Sequence, residues 1–69
     1  MDNRRYIEFI QDVLITIHQN IRELKERKNF AEPQELDHIE GKLIAYNEML
    51  SILRMSADEF DIPGKEIGI

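Results

Sequence analysis

Residues 7–24 read IEFIQDVLITIHQNIREL, and this stretch decides the fold. Its apolar residues recur at alternating steps of three and four positions: Ile7, Ile10, Leu14, Ile17, Ile21 and Leu24. Residues 36–60 repeat the alternation with Leu36, Ile39, Leu43, Tyr46, Leu50, Leu53, Ala57 and Phe60. This heptad spacing places each set on one stripe of a helix that packs against another helix. We call the two facing stripes the seam.

The chain is predicted to be all-α, an antiparallel two-helix hairpin. The first helix is expected over residues 3–28, with Asp2 or Asn3 as its N-cap. The second is expected over residues 33–55, because Pro33 suits the first position of a helix, where its missing N–H is not needed. The short connection between them makes the helices antiparallel neighbours. Residues 56–59 have capping-box spacing, which allows a short C-terminal turn to begin there.

The domain organisation follows from the last turn signal. Pro63-Gly64 ends regular structure, so residues 1–64 are predicted to form a single helical-hairpin domain. Residues 65–69 are predicted to be a flexible C-terminal tail with few contacts. The pattern leaves two courses open for residues 57–62: they extend the second helix, or they fold back over the hairpin.

Size and charge exclude several classes of protein. A chain of 69 residues has a small core, and oligomerisation is a common way to stabilise such a chain. It has no cysteine, which excludes disulfides and thiolate metal sites. The net charge of −5 argues against binding to nucleic acid. Because the sequence also lacks an 18-residue apolar run and a signal peptide, we expect no membrane association and a cytoplasmic location.

The positions beside the seam differ between the two sides of the hairpin. With Ile7 and Leu36 at heptad position a, one side carries only polar residues at position e. We call this side the polar edge: Gln11, His18, Lys25, Glu40, Asn47 and Arg54. In an antiparallel pair, Lys25 is expected to form an ion pair with Glu40, and Arg27 with Glu35 on the other side.

The opposite side, at positions g and c, is apolar over half of its length. We call it the apolar face: Tyr6, Phe9, Val13, Ala45, Met49 and Ile52. An exposed patch of this kind usually marks an interface. The simplest burial is a homodimer that closes as a four-helix bundle, because two-fold dimers are the commonest oligomers. The alternatives are a different partner protein, or cover from Phe60 and Ile62 of the same chain.

Catalytic and cofactor chemistry find little support in the sequence. No nucleophile lies beside a base, and a two-helix hairpin offers no enclosed pocket, so we expect a non-enzymatic protein without a cofactor. The leading interpretation is a small acidic protein–protein interaction or regulatory module that self-associates through the apolar face. Glu35 and His38 have the i, i+3 spacing of di-iron sites in helical bundles, and Glu23 should lie level with them. A dimer would hold two copies of this set, which makes a metal-binding four-helix bundle an alternative function. Arg27 beside Glu35 opposes a bound cation, so these three residues are weak metal candidates and no metal is expected.

Residues 34–37, Gln-Glu-Leu-Asp, resemble the Ser-Gln-Glu-Leu-Asp motif of the small sporulation regulators that dephosphorylate response-regulator aspartates. Those regulators are also short helical hairpins with the motif on the second helix. Pro33 stands where that family has its serine. The resemblance implies an alternative function, an aspartyl-phosphate phosphatase-like regulator of a response regulator, with Gln34, Glu35 and Asp37 as its working residues.

Overall fold

The structure is a computed structural model that describes residues 3–69. It is all-helical over that range, with α1 at Arg4–Lys28, α2 at Pro33–Glu59 and a short α3 at Gly64–Ile67. The molecule measures 49 × 20 × 15 Å, so its long axis follows the two long helices. The predicted hairpin is therefore confirmed. No helix within residues 3–69 has the length and apolar character needed to cross a membrane.

The beginnings of the long helices are close to prediction. Asn3 is the N-cap of α1, although its side chain makes no capping hydrogen bond; Asp2, the other predicted cap, lies outside the described residues. Pro33 occupies the start of α2, where its fixed φ suits a helix. Glu32 before it is extended, because the proline ring disfavours a helical conformation of the preceding residue. The last turn of α1 carries Lys25, Arg27 and Lys28, whose charges are favourable at the negative end of the helix dipole.

The C-terminal end of α2 lies four residues beyond the predicted end at residue 55, at Glu59. Helix α2 continues because Ala57 is buried on the seam, 5% exposed, and this contact extends the packed stripe by another turn. The helix then closes with two backbone bonds, Ile62 N–H to Ala57 O (2.8 Å) and Asp61 N–H to Asp58 O (3.2 Å). This is a Schellman pattern, and Asp61 holds the left-handed position at φ 54° that glycine usually occupies.

The core lies where the heptad pattern predicts it, with exceptions at the open end of the hairpin. Leu14, Ile17, Ile21 and Leu50 form a buried cluster. Around it pack the half-buried residues Ile10, Leu43, Tyr46, Leu53, Ile67 and Ile69. Two predicted seam residues are exposed instead: Ile7 in the first turns of α1, and Phe60, which has already left α2 as its C-cap. The seam is thus shorter at its open end than the sequence indicates.

The last residues pack against the hairpin, which differs from the predicted tail. After the turn at Asp61, helix α3 folds back, and Ile67 and Ile69 contact the core cluster. A second turn closes the segment, since Gly68 is left-handed at φ 89° and the Ile69 N–H bonds to Gly64 O at 2.9 Å. The expectation of few contacts beyond Gly64 is therefore wrong. Burial of the Ile67 and Ile69 side chains against the core stabilises an ordered segment after the Pro63-Gly64 turn.

Candidate interface

The apolar face is exposed to solvent in the single chain. Phe9 is 64% exposed and Ile52 is 62% exposed, although both are large apolar side chains. The remaining members, which complete the face, are also exposed: Tyr6, Val13, Ala45 and Met49. Because apolar surface in water is unfavourable in proportion to its area, a continuous patch of this kind favours association.

A hydrogen bond between the long helices supports the register on which the apolar face depends. Asn20 lies at position g of α1, and its Nδ2 atom donates to the Tyr46 hydroxyl oxygen of α2 at 3.1 Å. Further along the same side, Arg27 and Lys42 line one recess, so position g of α1 and position g of α2 lie on the same side of the hairpin. This is the pairing that the heptad assignment predicts for an antiparallel hairpin.

Helix α3 lies on the polar edge. The Gln11 side chain donates from Nε2 to the Glu66 carbonyl oxygen at 2.7 Å. Next to this bond, a concavity between α1 and the C-terminal segment is lined by residues that include His18, Lys65 and Ile67. On the α2 side, Arg54 lines a second concavity together with Ile69. The C-terminal segment thus packs on the side that the sequence marks as polar, near its open end, and leaves the apolar face exposed.

The contact between α3 and the polar edge is not predicted by the sequence, because the polar edge shows no apolar pattern of its own. The apolar groups come from Ile67 and Ile69, which lie beyond a Pro-Gly pair and outside any heptad. One signal was available: Ile15 at position b is apolar, lies next to the polar edge, and lines the concavity that faces Ile67. Phe60 and Ile62, expected as an alternative cover for the apolar face, are exposed.

The ion pairs differ from those expected. Glu40 pairs with Lys28, with 3.4 Å between Nζ and Oε1, rather than with Lys25. The predicted contact between Arg27 and Glu35 is not among the ion pairs of residues 3–69. Both partners of the observed pair are about half exposed, so it adds little to stability.

The three weak metal candidates do not form a site in one chain. Glu23, Glu35 and His38 are all exposed. Within residues 3–69 no three His, Asp or Glu side chains come together as a group that could hold a metal ion. The working residues implied by the phosphatase resemblance, Gln34, Glu35 and Asp37, lie in the first turns of α2 and are exposed to solvent.

Comparison of the chain with protein-family models, with curated proteins and with solved structures finds no match. A proposal about function therefore rests on the exposed surfaces of the chain itself.

Proposed function

We infer that this chain is a small non-enzymatic module that self-associates through the apolar face. In this proposal the apolar faces of two copies pack against each other and produce a four-helix bundle. The observation that carries the proposal is the exposure of that face: among residues 3–69, the segment that follows the two long helices, residues 60–69, packs against the opposite side.

The shape of the face supports a second copy as its occupant. The α1 half presents two exposed aromatic side chains, Tyr6 and Phe9. The α2 half presents a shallow concavity lined by Lys42, Ala45, Tyr46 and Met49. A two-fold interface requires a surface that is complementary to itself, so that each patch binds its counterpart in both directions. Exposed aromatic side chains on one helix and a concavity on the other favour this arrangement, because each copy supplies both parts.

The composition of the face supports an interface core. Aromatic residues and Met are enriched in protein interfaces, and charged residues are depleted from their centres. No g or c position within residues 6–16 and 45–56 is charged, although 33% of the chain is charged. A second copy would also enlarge a core that in one chain buries few side chains deeply.

The test compares two lysine substitutions on α2. Met49→Lys places a charge on the apolar face, whereas Asn47→Lys places the same charge two residues away on the polar edge, at an exposed position. Burial of an unpaired charge costs several kcal/mol, so Met49→Lys should raise the dimer dissociation constant by at least about a hundredfold. Asn47→Lys should leave it within about threefold. Sedimentation equilibrium over a range of concentrations measures both constants.

Gln11 is not a suitable control for this test, because its side chain holds α3 through the bond to Glu66 O. The proposal fails if the unchanged chain sediments as a monomer at high concentration while its circular dichroism shows a full helix. It also fails if Met49→Lys and Asn47→Lys weaken the assembly equally, since the face would then have no special part in association.

A further inference from the structure

A polar recess lies beside the apolar face, nearer the loop that joins α1 to α2. Its lining consists of Asn20, Glu23, Leu24 and Arg27 from α1, with Lys42 and Tyr46 from α2. Leu24 is 6% exposed and forms an apolar floor, while the polar groups stand around it. The recess is open to solvent on one side, so a small solute can reach it without any movement of the helices.

Arg27 and Lys42 line the recess, and neither forms an ion pair within residues 3–69. The ion pair described for that range joins Lys28 to Glu40. Glu23 lines the same recess but lies beyond ion-pair distance of both. The local charge is therefore about +1 in a chain whose net charge is −5. Two like charges held on facing helices repel each other, and a bound anion would remove this cost.

Neutral donors add to the two charges. Asn20 Nδ2 donates to the Tyr46 hydroxyl oxygen at 3.1 Å, so that oxygen is an acceptor in this bond. The hydroxyl hydrogen of Tyr46 remains available for another acceptor, because a phenol both accepts and donates. The recess therefore offers a hydroxyl donor, a guanidinium and an ammonium group around one small volume. Hydrogen bonds from charged donors to an oxyanion are about twice as strong as neutral ones.

We propose that this recess is a binding site for a small phosphate-type oxyanion. Arg27 and Lys42 neutralise its charge, and the Tyr46 hydroxyl donates to one of its oxygens. Glu23 opposes binding and keeps the affinity modest. The recess adjoins the apolar face, because Lys42 and Tyr46 also line the concavity beside Met49. Sedimentation equilibrium of each variant therefore accompanies the phosphate titration, so that a loss of binding is separated from a change in self-association.

The experiment titrates inorganic phosphate into the full-length chain at constant ionic strength, with chloride as the balancing anion. Binding is followed by the NMR shift of the Asn20 side-chain amide, which lines the recess. Lys42→Met should weaken binding about tenfold, because it removes one charged donor. Lys65→Met, which removes an equal charge on the opposite side of the hairpin, should leave binding unchanged.

A third variant should change phosphate affinity in the opposite direction, which makes the test specific to this recess. Glu23→Gln removes the opposing carboxylate at an exposed position, so it should strengthen phosphate binding severalfold. Titration of acetate in place of phosphate should give a weaker response, because acetate carries a single charge. Equal phosphate binding in Lys42→Met and Lys65→Met would overturn the proposal, as would weaker binding in Glu23→Gln or a wild-type response no greater than that to chloride.

Discussion

The two sides of the hairpin differ in a way that their composition does not predict: the C-terminal segment packs on the polar edge and not on the apolar face. Helix α3 packs against the part of the polar edge near the open end of the hairpin, where Gln11 donates a hydrogen bond to Glu66 O, and the rest of that edge is exposed. The apolar face, which has the greater need of cover, is exposed in the single chain. The difference teaches that local hydrophobicity identifies which surfaces are costly in water, whereas the path of the chain determines which of them its own residues can reach.

The path is determined at the turn after α2. Asp61 takes a left-handed conformation at φ 54°, and Pro63 follows in an extended conformation. Together they reverse the chain and direct α3 toward the polar edge. Helix α3 then makes its contacts on that side, through Gln11 and the core cluster. The apolar face is left exposed as a result.

The largest expected effect comes from the seam that both sides share. Leu50 is 3% exposed within the core cluster, so Leu50→Ala should lower the free energy of unfolding by about 2–5 kcal/mol. Leu43 is only half buried, and Leu43→Ala should cost less. Denaturant titration at a fixed protein concentration measures both values. A loss below about half a kcal/mol for Leu50→Ala would show that the seam is wrongly assigned.

The second prediction tests whether α3 stabilises the polar edge. Deletion of residues 64–69 exposes core surface now covered by Ile67 and Ile69, and should cost about 2 kcal/mol, since each isoleucine is half buried. The double variant Ile67→Ala with Ile69→Ala should account for most of that loss while it retains the backbone. Thermal denaturation at one concentration compares the three chains. An unchanged melting temperature after deletion would mean that the segment is the flexible tail predicted from the sequence.

The smallest effects come from two glycines, and their signs should differ. A Cβ atom at Gly64 would lie 2.8 Å from the Ile69 carbonyl oxygen, so Gly64→Ala should loosen the C-terminal turn and cost about 1 kcal/mol. A Cβ atom at Gly41 meets nothing within 4 Å, so Gly41→Ala should stabilise α2 by about 0.5–1 kcal/mol. Chemical denaturation of both variants decides the matter. Destabilisation by Gly41→Ala would indicate a close approach by another chain at that point.

Much of the fold could be predicted from the sequence because the determining interactions are periodic. The alternation of three and four positions places Leu14, Ile17, Ile21 and Leu50 in the core, and all four are buried. The ion pairs could not be predicted to the residue, because Lys25 and Lys28 are both long enough to reach Glu40 and the energies involved are small. Of the candidate site, the sequence predicts which residues form the apolar face, but not whether α3 covers it.

The sequence by itself determined the helices, their antiparallel pairing and the composition of each side, because these depend on residue spacing within one helix and on a short loop. Only the tertiary structure decided the position of residues 60–69 and the recess between Arg27 and Lys42. Both depend on a backbone direction at a turn, or on where long side chains meet across two helices. Such contacts have no period in the sequence, so the heptad pattern does not predict them.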